Sequence, residues 1–390
     1  MIKQEEAFKI LKQSVFKLGT ELIPYQNSLG RVLAENVYSD MDMPPFNKSA
    51  VDGYACRKQD LGNDLELLEI IPAGIAPTKS IGANQCSQIM TGAEVPEGAD
   101  TIIMVEHTET INKKIRFVHS KTNSNICAIG EDIRKADLVL EDGTLIKAQQ
   151  IPVLASVGKV FIHVYRHPKV AVISTGDELV EPHIIPQTSQ IRNSNAAQLM
   201  AQLKQLGLEG RYIGIAKDSP ESTRKMLEEA LDSSDIVLLS GGVSMGEFDF
   251  VPAILEEKGI KILFKSLAVQ PGRPTVFGKK EGQFFFGLPG NPVSSFVQFE
   301  LLVKPLIYNL MGYDFKPLSL KMPMGVEYTR KKAKRKSYIP VYFNENSEVI
   351  PVDYNGSAHI HSYVKADGMI YINIGETTLK KGLIVDVRQI

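Results

Sequence analysis

Between residues 169 and 312, short apolar runs alternate with stretches whose apolar positions recur at helical spacing. The runs are KVAVIS, RYIGIA, DIVLLS and QFFFGL, and each predicts a strand. The stretches between and after them are NSNAAQLMAQLKQLG, DSPESTRKMLEEALDS, FDFVPAILEEKG and NPVSSFVQFELLVKPLIYNLMG, and each predicts a helix. The first of these helices has an Asn/Ser start and a Gly stop, and Pro220 sits near the first position of the second. Strands alternating with helices predict a parallel or mixed sheet covered on both faces.

The flanking segments have other periods. EEAFKILKQSVFKL, residues 5–18, places Phe8, Leu11, Val15 and Leu18 at helical spacing, with Gly19 as the stop. From about 54 to 140 the runs ADTIIMVEH, KKIRFVHS and ADLVLEDGTLI are short, β-prone and separated by turn residues, which predicts a small all-β module. AQQIPVLASVG predicts a short helix closed by Gly158. Beyond about 316 short strands return, ending in MIYINI and LIVDV. The chain thus reads as an N-terminal helix, a β insertion, an α/β domain and a small C-terminal β domain.

Composition narrows the class without changing this outline. With 43% apolar residues, 390 positions supply cores for several domains. A formal net charge of -1 excludes general coating of nucleic acid, which needs a basic surplus, but not a local anion site. Cys56, Cys86 and Cys127 are far apart in sequence, form no CxxC, and read as reduced thiols. His359 and His361 have i,i+2 spacing and read as a surface or structural pair, not a metal site. The start MIKQEEAFKI is charged, unlike a signal peptide, and no apolar run approaches the ~20 residues that span a bilayer. A cytoplasmic protein that binds neither membrane nor nucleic acid is expected.

Candidate chemistry collects at strand ends, where open α/β sheets bind ligands. KVAVIS runs into TGDEL, with Thr175, Gly176, Asp177 and Glu178; DIVLLS into GGVSMGEFD, with Gly241, Gly242, Ser244 and Asp249; QFFFGL into PGNPVSS, with Pro289, Gly290, Asn291, Ser294 and Ser295. Glycines let phosphate oxygens reach backbone N–H groups, and a helix N-terminus adds free donors; Asn291 is placed to cap the last helix, with Pro292 in its first turn. Asp177, Glu178, Asp218 and Asp249 would repel a phosphate unless a cation lay between, and Mg²⁺ suits one or two carboxylates plus phosphate oxygens. One glycine-rich strand end alone is a tight turn, and Asp177 or Asp218 alone is a helix cap; several equipped ends in one domain make a ligand site. GxxxxGK[ST] and GxGxxG are absent, which disfavours P-loop and ordinary dinucleotide enzymes. Arg273 lies in a turn within LAVQPGRPTVFG, and six of the seven residues from Arg330 to Lys336 are basic. That run is a solvated face unless an oxyanion must be held, in which case Arg273 and Arg335 are candidate ligands.

PPFNKSAVDGYA, MTGAEVPEGAD, GEDI, STGDEL, AKDSP, SGGVSMGEFDF, QPGRPTVFG and GLPGNPVSS occur in that order along the chain. Together they resemble the molybdopterin molybdenumtransferase family, called MoeA in bacteria and the gephyrin E domain in animals. The resemblance implies a multidomain α+β and α/β protein: an elongated, partly helical domain (residues 1–45 and 141–168), an inserted β domain (46–140), a molybdopterin-binding α/β domain with a doubly covered, mostly parallel sheet (169–316) and a small barrel-like C-terminal β domain (317–390). It also implies a homodimer with a shared active cleft and an Mg²⁺-dependent insertion of molybdate into adenylylated molybdopterin that releases AMP. Partners implied are a molybdopterin adenylyltransferase and downstream molybdoenzymes or carriers.

Matching motif positions give Asp52, Thr91, Asp132, Glu178, Asp218 and Asp249 as residues of the reaction, with Glu178, Asp218 and Asp249 as Mg²⁺ ligands. Thr175, Gly176, Asp177, Gly241, Gly242, Ser244, Pro289, Gly290, Asn291 and Ser294 are implied to bind the pterin substrate, and Gln270, Arg273, Arg335 and Ser357 molybdate. Where the family commonly has K-P-G-K-P, this chain has Gln270-Pro271-Gly272-Arg273-Pro274, which removes one charge. PPFN departs from the commoner PxFD, and Asn47 receives no role. Two other readings are a gephyrin-type binding scaffold without catalysis and an enzyme that adenylylates molybdopterin.

Overall fold

The computed structural model describes residues 1–242, 251–354 and 356–390. The chain divides into two compact units, one of residues 35–142 and 148–161, the other of residues 1–34, 143–147 and 162–390.

The first unit is built on a six-stranded sheet. Its strands are β1 (Gly53–Cys56), β2 (Asp64–Ile71), β3 (Gln85–Ile89), β4 (Thr101–Met104), β5 (Thr108–Ile111) and β6 (Lys114–Phe117), in the spatial order β4-β1-β3-β2-β6-β5. All four residues of β1 are buried, as a central strand requires. Cys56 on β1 lies directly opposite Cys86 on β3, so two thiols distant in sequence are neighbours in space. Both are free and fully buried, and burial pushes each thiol up to about 12, so neither is a nucleophile at neutral pH. The run ADLVLEDGTLI does not join this sheet: Leu138–Leu140 pairs with Val37–Tyr38 in a separate ribbon. A short helix follows at Gln150–Ser156, closed by Gly158 at φ +67°.

The second unit opens with α1 (Gln4–Ser14), which is shorter than its periodicity predicts. Its buried face is Gln4, Ala7, Leu11 and Ser14, while Phe8 is 37% exposed. Val15 turns extended, at φ -75° and ψ 144°, and Leu18 is buried by docking instead, its N–H donating to the Leu310 carbonyl at 2.8 Å. A tertiary backbone bond thus replaces the last helical turn.

The α/β sheet uses β7 (Val170–Thr175), β10 (Gly210–Ala216), β11 (Ile236–Ser240), β12 (Lys261–Phe264), β14 (Val276–Lys280) and β15 (Gln283–Leu288), in the order β10-β7-β11-β15-β14-β12. The first four run parallel, and β14 and β12 are antiparallel additions. Two smaller strands, β8 (Leu179–Val180) and β9 (Ile191–Arg192), form a parallel ribbon after β7, and β13 (Val269–Gln270) lies outside this sheet. Helices α3 (Ser194–Gln205), α4 (Pro220–Ser233), α5 (Val251–Glu257), α6 (Pro292–Gln298) and α7 (Lys304–Leu310) cover it, α2 being the short helix at Gln150–Ser156. Side chains of β7 alternate between the two layers: Val170 and Val172 pack with Leu199, Leu203 and Val297, whereas Ala171 and Ile173 pack with Leu227, Leu231 and Leu255. The expected double cover is present.

α6 and α7 are joined by a π turn at Phe299–Val303, which carries the buried Glu300, 2% exposed. Its carboxylate accepts from Gln202 Nε2 at 3.0 Å and Lys304 Nζ at 2.9 Å, and its carbonyl accepts from Arg388. Glu300→Gln is expected to destabilise the unit by about 1–3 kcal/mol, because the largely buried Lys304 loses its charged acceptor. The urea midpoint measures this, and an unchanged midpoint would show that the network contributes nothing.

The C-terminal sheet contains β16 (Ser319–Pro323), β17 (Lys336–Phe343), β18 (Val349–Pro351), β19 (Gly368–Ile372) and β20 (Ile384–Gln389). Its order is β13-β17-β19-β20-β16, with β18 paired to β17. β13 therefore adds to this sheet as its edge, in parallel register, Val269 opposite Lys336 and Gln270 opposite Ser337. That register carries the Gln270–Pro274 turn to the start of β17. Among the described residues no helix is long and apolar enough to cross a membrane.

Candidate functional site

A cavity of about 660 Å³ opens at the carboxyl ends of β7, β11 and β15. It is lined by Thr175, Gly176, Glu178, Asp218, Gly241, Gly242, Pro289, Gly290 and Asn291, so most of the expected substrate residues converge. Local chemistry explains the glycines. Gly176 has φ +145°, and a Cβ there would meet the folded-back Glu178 carboxylate at 2.5 Å. Gly241 has φ +95°, and its Cβ would meet the Thr175 carbonyl at 2.6 Å. Asp177 supports the wall: its N–H donates to Asp218 Oδ2 at 3.4 Å and the Asp218 N–H returns to Asp177 Oδ1 at 3.2 Å. Neither acid caps a helix; Ser219 caps α4, accepting from the Ser222 N–H at 3.2 Å. Ser244 and Asp249 lie outside the described residues.

Several lining residues carry no site signal in the sequence, Asn195 and Arg192 among them. Asn195, in the first turn of α3, donates to Ser240 Oγ and to the Gly290 carbonyl, both at 2.7 Å, and so ties the ends of β11 and β15 together. Arg192, exposed at the end of β9, also lines the cavity. RNSN has the character of a helix start, and a polar cap motif and a site motif look alike in sequence. Thr175 Oγ1 and Asn195 Oδ1 are buried without a hydrogen-bond partner among the described residues.

A second cavity, about 290 Å³, adjoins the first and shares Pro274, Pro289 and Asn291 with it. Gln270, Arg273, Arg335 and Ser357 all line it, and so does Ser294, which the sequence had grouped with the pterin site. Asn291 occupies the cap position of α6 without capping: its Nδ2 donates to Ser357 Oγ at 2.8 Å, which fixes the wall between the cavities. Gln298 Nε2 pins the turn through the Pro271 carbonyl at 3.0 Å. Burial, then the nearby Arg273, lowers the tendency of Arg335 to hold its proton. Two guanidiniums converge here, and no acid lines the cavity among the described residues. The basic run divides by position. Arg330 donates to the Arg335 carbonyl at 2.7 Å, Lys336 lies 4.1 Å from the Tyr371 ring centroid, and Lys331, Lys332 and Lys334 are exposed.

The remaining candidates belong to the other compact unit. Asp52 Oδ1 accepts from the Thr91 N–H at 2.6 Å and from Thr91 Oγ1 at 2.8 Å, bonds that hold its carboxyl below the usual range. Asp132 stands on a separate loop, its N–H donating to the Met43 carbonyl at 3.0 Å. Asn47 fixes that loop by accepting from the Ile129 N–H at 2.9 Å, a structural role unassigned from sequence.

No group of three or more His, Cys, Asp or Glu forms a metal cage among the described residues. Glu178 and Asp218 fit the lesser demand of Mg²⁺, which takes one or two carboxylates and completes its shell with phosphate oxygens and water.

Residues 2–158 match the MoeA N-terminal region (domain I and II), residues 171–309 a probable molybdopterin binding domain, and residues 326–390 the MoeA C-terminal region (domain IV). The chain is 35% identical over 403 residues to a molybdopterin molybdenumtransferase of Staphylococcus epidermidis, spanning 99% of this chain and 95% of that one. To the molybdopterin molybdenumtransferase of Haemophilus influenzae it is 38% identical over 381 residues, spanning 93% and 92%. A crystal structure of the molybdopterin biosynthesis MoeA protein of Pyrococcus horikoshii OT3 superposes over all of both chains with a TM-score of 0.87 at 28% identity. A second crystal structure from that organism gives a TM-score of 0.82 at 32% identity, covering 100% of this chain and 99% of that one. With full-length relatives at these identities and a matching multidomain fold, the chain belongs to the molybdopterin molybdenumtransferase family, MoeA.

Proposed function

We propose that the chain is the transferase of molybdenum cofactor biosynthesis that inserts molybdenum into adenylylated molybdopterin and releases AMP. One observation carries this reading: a glycine-walled cavity with two acids shares a wall with a smaller cavity lined by two guanidiniums. The first suits a pyrophosphate accompanied by a cation, and the second suits molybdate. Glu178 and Asp218, with Asp249, would hold Mg²⁺, which when bound supplies neutralisation of the pyrophosphate and a better leaving group in AMP. The chain's own residues do the positioning. Gly241 and Gly242 offer bare backbone to the phosphates, and Asn195 keeps their strand end in register with Gly290. Arg273, Arg335, Ser357 and the neutral Gln270 hold the oxyanion beside it. Attack on phosphorus, by water or by a molybdate oxygen, then releases AMP.

The proposal extends to a cytoplasmic homodimer with an active cleft drawn from both subunits, four domains divided at residues 45, 140, 168 and 316, and Asp52, Thr91 and Asp132 serving the reaction from the β domain. A molybdopterin adenylyltransferase supplies the substrate, and molybdoenzymes or carriers accept the product. Purified chain given adenylylated molybdopterin, Mg²⁺ and molybdate is expected to release AMP and to restore activity to a molybdenum-free molybdoenzyme. Consumption of ATP without molybdate would move the chain to adenylylation, and neither activity would return it to a binding scaffold.

A further inference from the structure

We propose that the segment Ile2–Gln4 is a clip that positions the Gln270–Pro274 turn, and with it Arg273, at the smaller cavity; this rests on reading that cavity as the molybdate site. Every residue from Gln270 to Pro274 lines the cavity, and Arg335 lines it from the start of β17. Among the described residues no acid lines it, so nothing there offsets the repulsion between Arg273 and Arg335. Charge therefore does not hold the turn against β17, and the turn depends on its backbone bonds. The Arg273 carbonyl accepts from the Leu267 N–H at 2.9 Å and from the Thr275 N–H at 3.0 Å, and Thr275 Oγ1 donates to the Gly272 carbonyl at 2.8 Å. These bonds close the turn onto Leu267, so its place follows whatever holds residues 266–268.

Two segments hold that stretch. From β17, the Lys336 N–H donates to the Ala268 carbonyl at 2.9 Å. From the other segment, the Ile2 N–H donates to the Ser266 carbonyl at 3.0 Å and the Ile2 carbonyl accepts from the Ala268 N–H at 2.7 Å, a parallel bridge centred on Leu267. Ala268 is thus a junction, its carbonyl given to β17 and its N–H to Ile2. Leu267 and Ala268 are 1% and 6% exposed, so water does not readily replace a lost partner. The clip is itself tied to β17. Gln4, at the start of α1 and 4% exposed, donates from Nε2 to the Tyr338 hydroxyl at 2.7 Å and accepts from it at 2.9 Å. Tyr338 follows Ser337, the residue opposite Gln270. Ile2–Gln4 and β17 therefore form one frame, and Val269 and Gln270 leave that frame directly for the turn. Ile2 acts through main-chain atoms, which is why position 2 carries no sign of this role in the sequence.

The test uses the full chain, adenylylated molybdopterin and molybdate. Ile2→Pro removes the N–H that the Ser266 carbonyl accepts. It should raise the molybdate concentration for half-maximal insertion about fivefold, the worth of one net backbone hydrogen bond, and leave the maximal rate near the parent's. Ile2→Val keeps both backbone bonds and should restore the parent's molybdate dependence. A second measurement needs no variant. Coupling between sites is reciprocal, so molybdate held at the turn must tighten the clip. Hydrogen exchange at the Ala268 N–H of the parent should slow by a similar factor when molybdate saturates insertion. A parent-like molybdate dependence in folded Ile2→Pro, or Ala268 exchange that ignores saturating molybdate, would overturn the clip. No molybdate-dependent insertion by the parent would sink the proposed function and the clip with it, whereas molybdate-dependent insertion with both readouts unmoved would sink only the clip.

Discussion

Asp218→Asn and Glu178→Gln are each expected to slow AMP release from adenylylated molybdopterin by about a hundredfold or more, in line with loss of a group that sets charge at a developing leaving group. Their positions make the test clean. Asp218 accepts the Asp177 N–H and gives its own N–H to Asp177, and an amide oxygen at position 218 can still accept. The loop after β7 and the loop before α4 thus keep their mutual hydrogen bonds while the carboxylate charge is removed. Glu178 folds over Gly176 with its oxygens at the cavity, and Gln fills the same space. Both variants should therefore keep the parent's melting temperature and lose rate, and saturation with Mg²⁺ should need higher concentrations. The measurement is AMP release against Mg²⁺ concentration with purified substrate. Parent rates at limiting Mg²⁺ would remove both acids from the proposed ion site.

Much of this site was legible because strand ends carry their chemistry in one short stretch. TGDEL and PGNPVSS each follow an unmistakable apolar run, and each delivers residues to the same cavity. What sequence hid were relations between stretches. Asp177 and Asp218 each looked like a helix cap because caps are local, yet their bonds run to one another across two loops. Asn195 looked like part of a helix start because its polar character fits a cap; its partners, Ser240 and Gly290, are 45 and 95 positions away. α1 lost its last turn to a bond with Leu310, a contact no periodicity records. β13 was invisible for a similar reason: two residues form no pattern, and only pairing with β17 makes them a strand. That pairing is what brings Gln270 and Arg273 to Arg335, so the smaller cavity could be named by resemblance but not built from the residues. The basic run shows both outcomes at once, with Arg335 at the cavity and Lys331, Lys332 and Lys334 in solvent.

Arg335→Ala should raise the molybdate concentration for half-maximal insertion about tenfold or more, and the Arg273→Ala/Arg335→Ala pair further, since a hydrogen bond to a charged group contributes about 1.5–3 kcal/mol. The free protein should respond in the opposite sense. Burial and the like charge of Arg273 both disfavour the Arg335 cation, and no acid among the described lining residues compensates. Removing that side chain relieves repulsion, so the melting temperature should hold or rise while the substrate requirement worsens. This opposition separates a binding role from a structural one, because a side chain that merely supports the fold would lose both together. Gln270→Lys adds a third cation at the same cavity and should lower the molybdate requirement, with more salt sensitivity, if the neutral amide limits affinity. Lys331→Ala and Lys332→Ala, in solvent, should change neither quantity. A molybdate dependence for Arg335→Ala that overlays the parent's would leave this cavity without its proposed ligand and return the basic run to a solvated face.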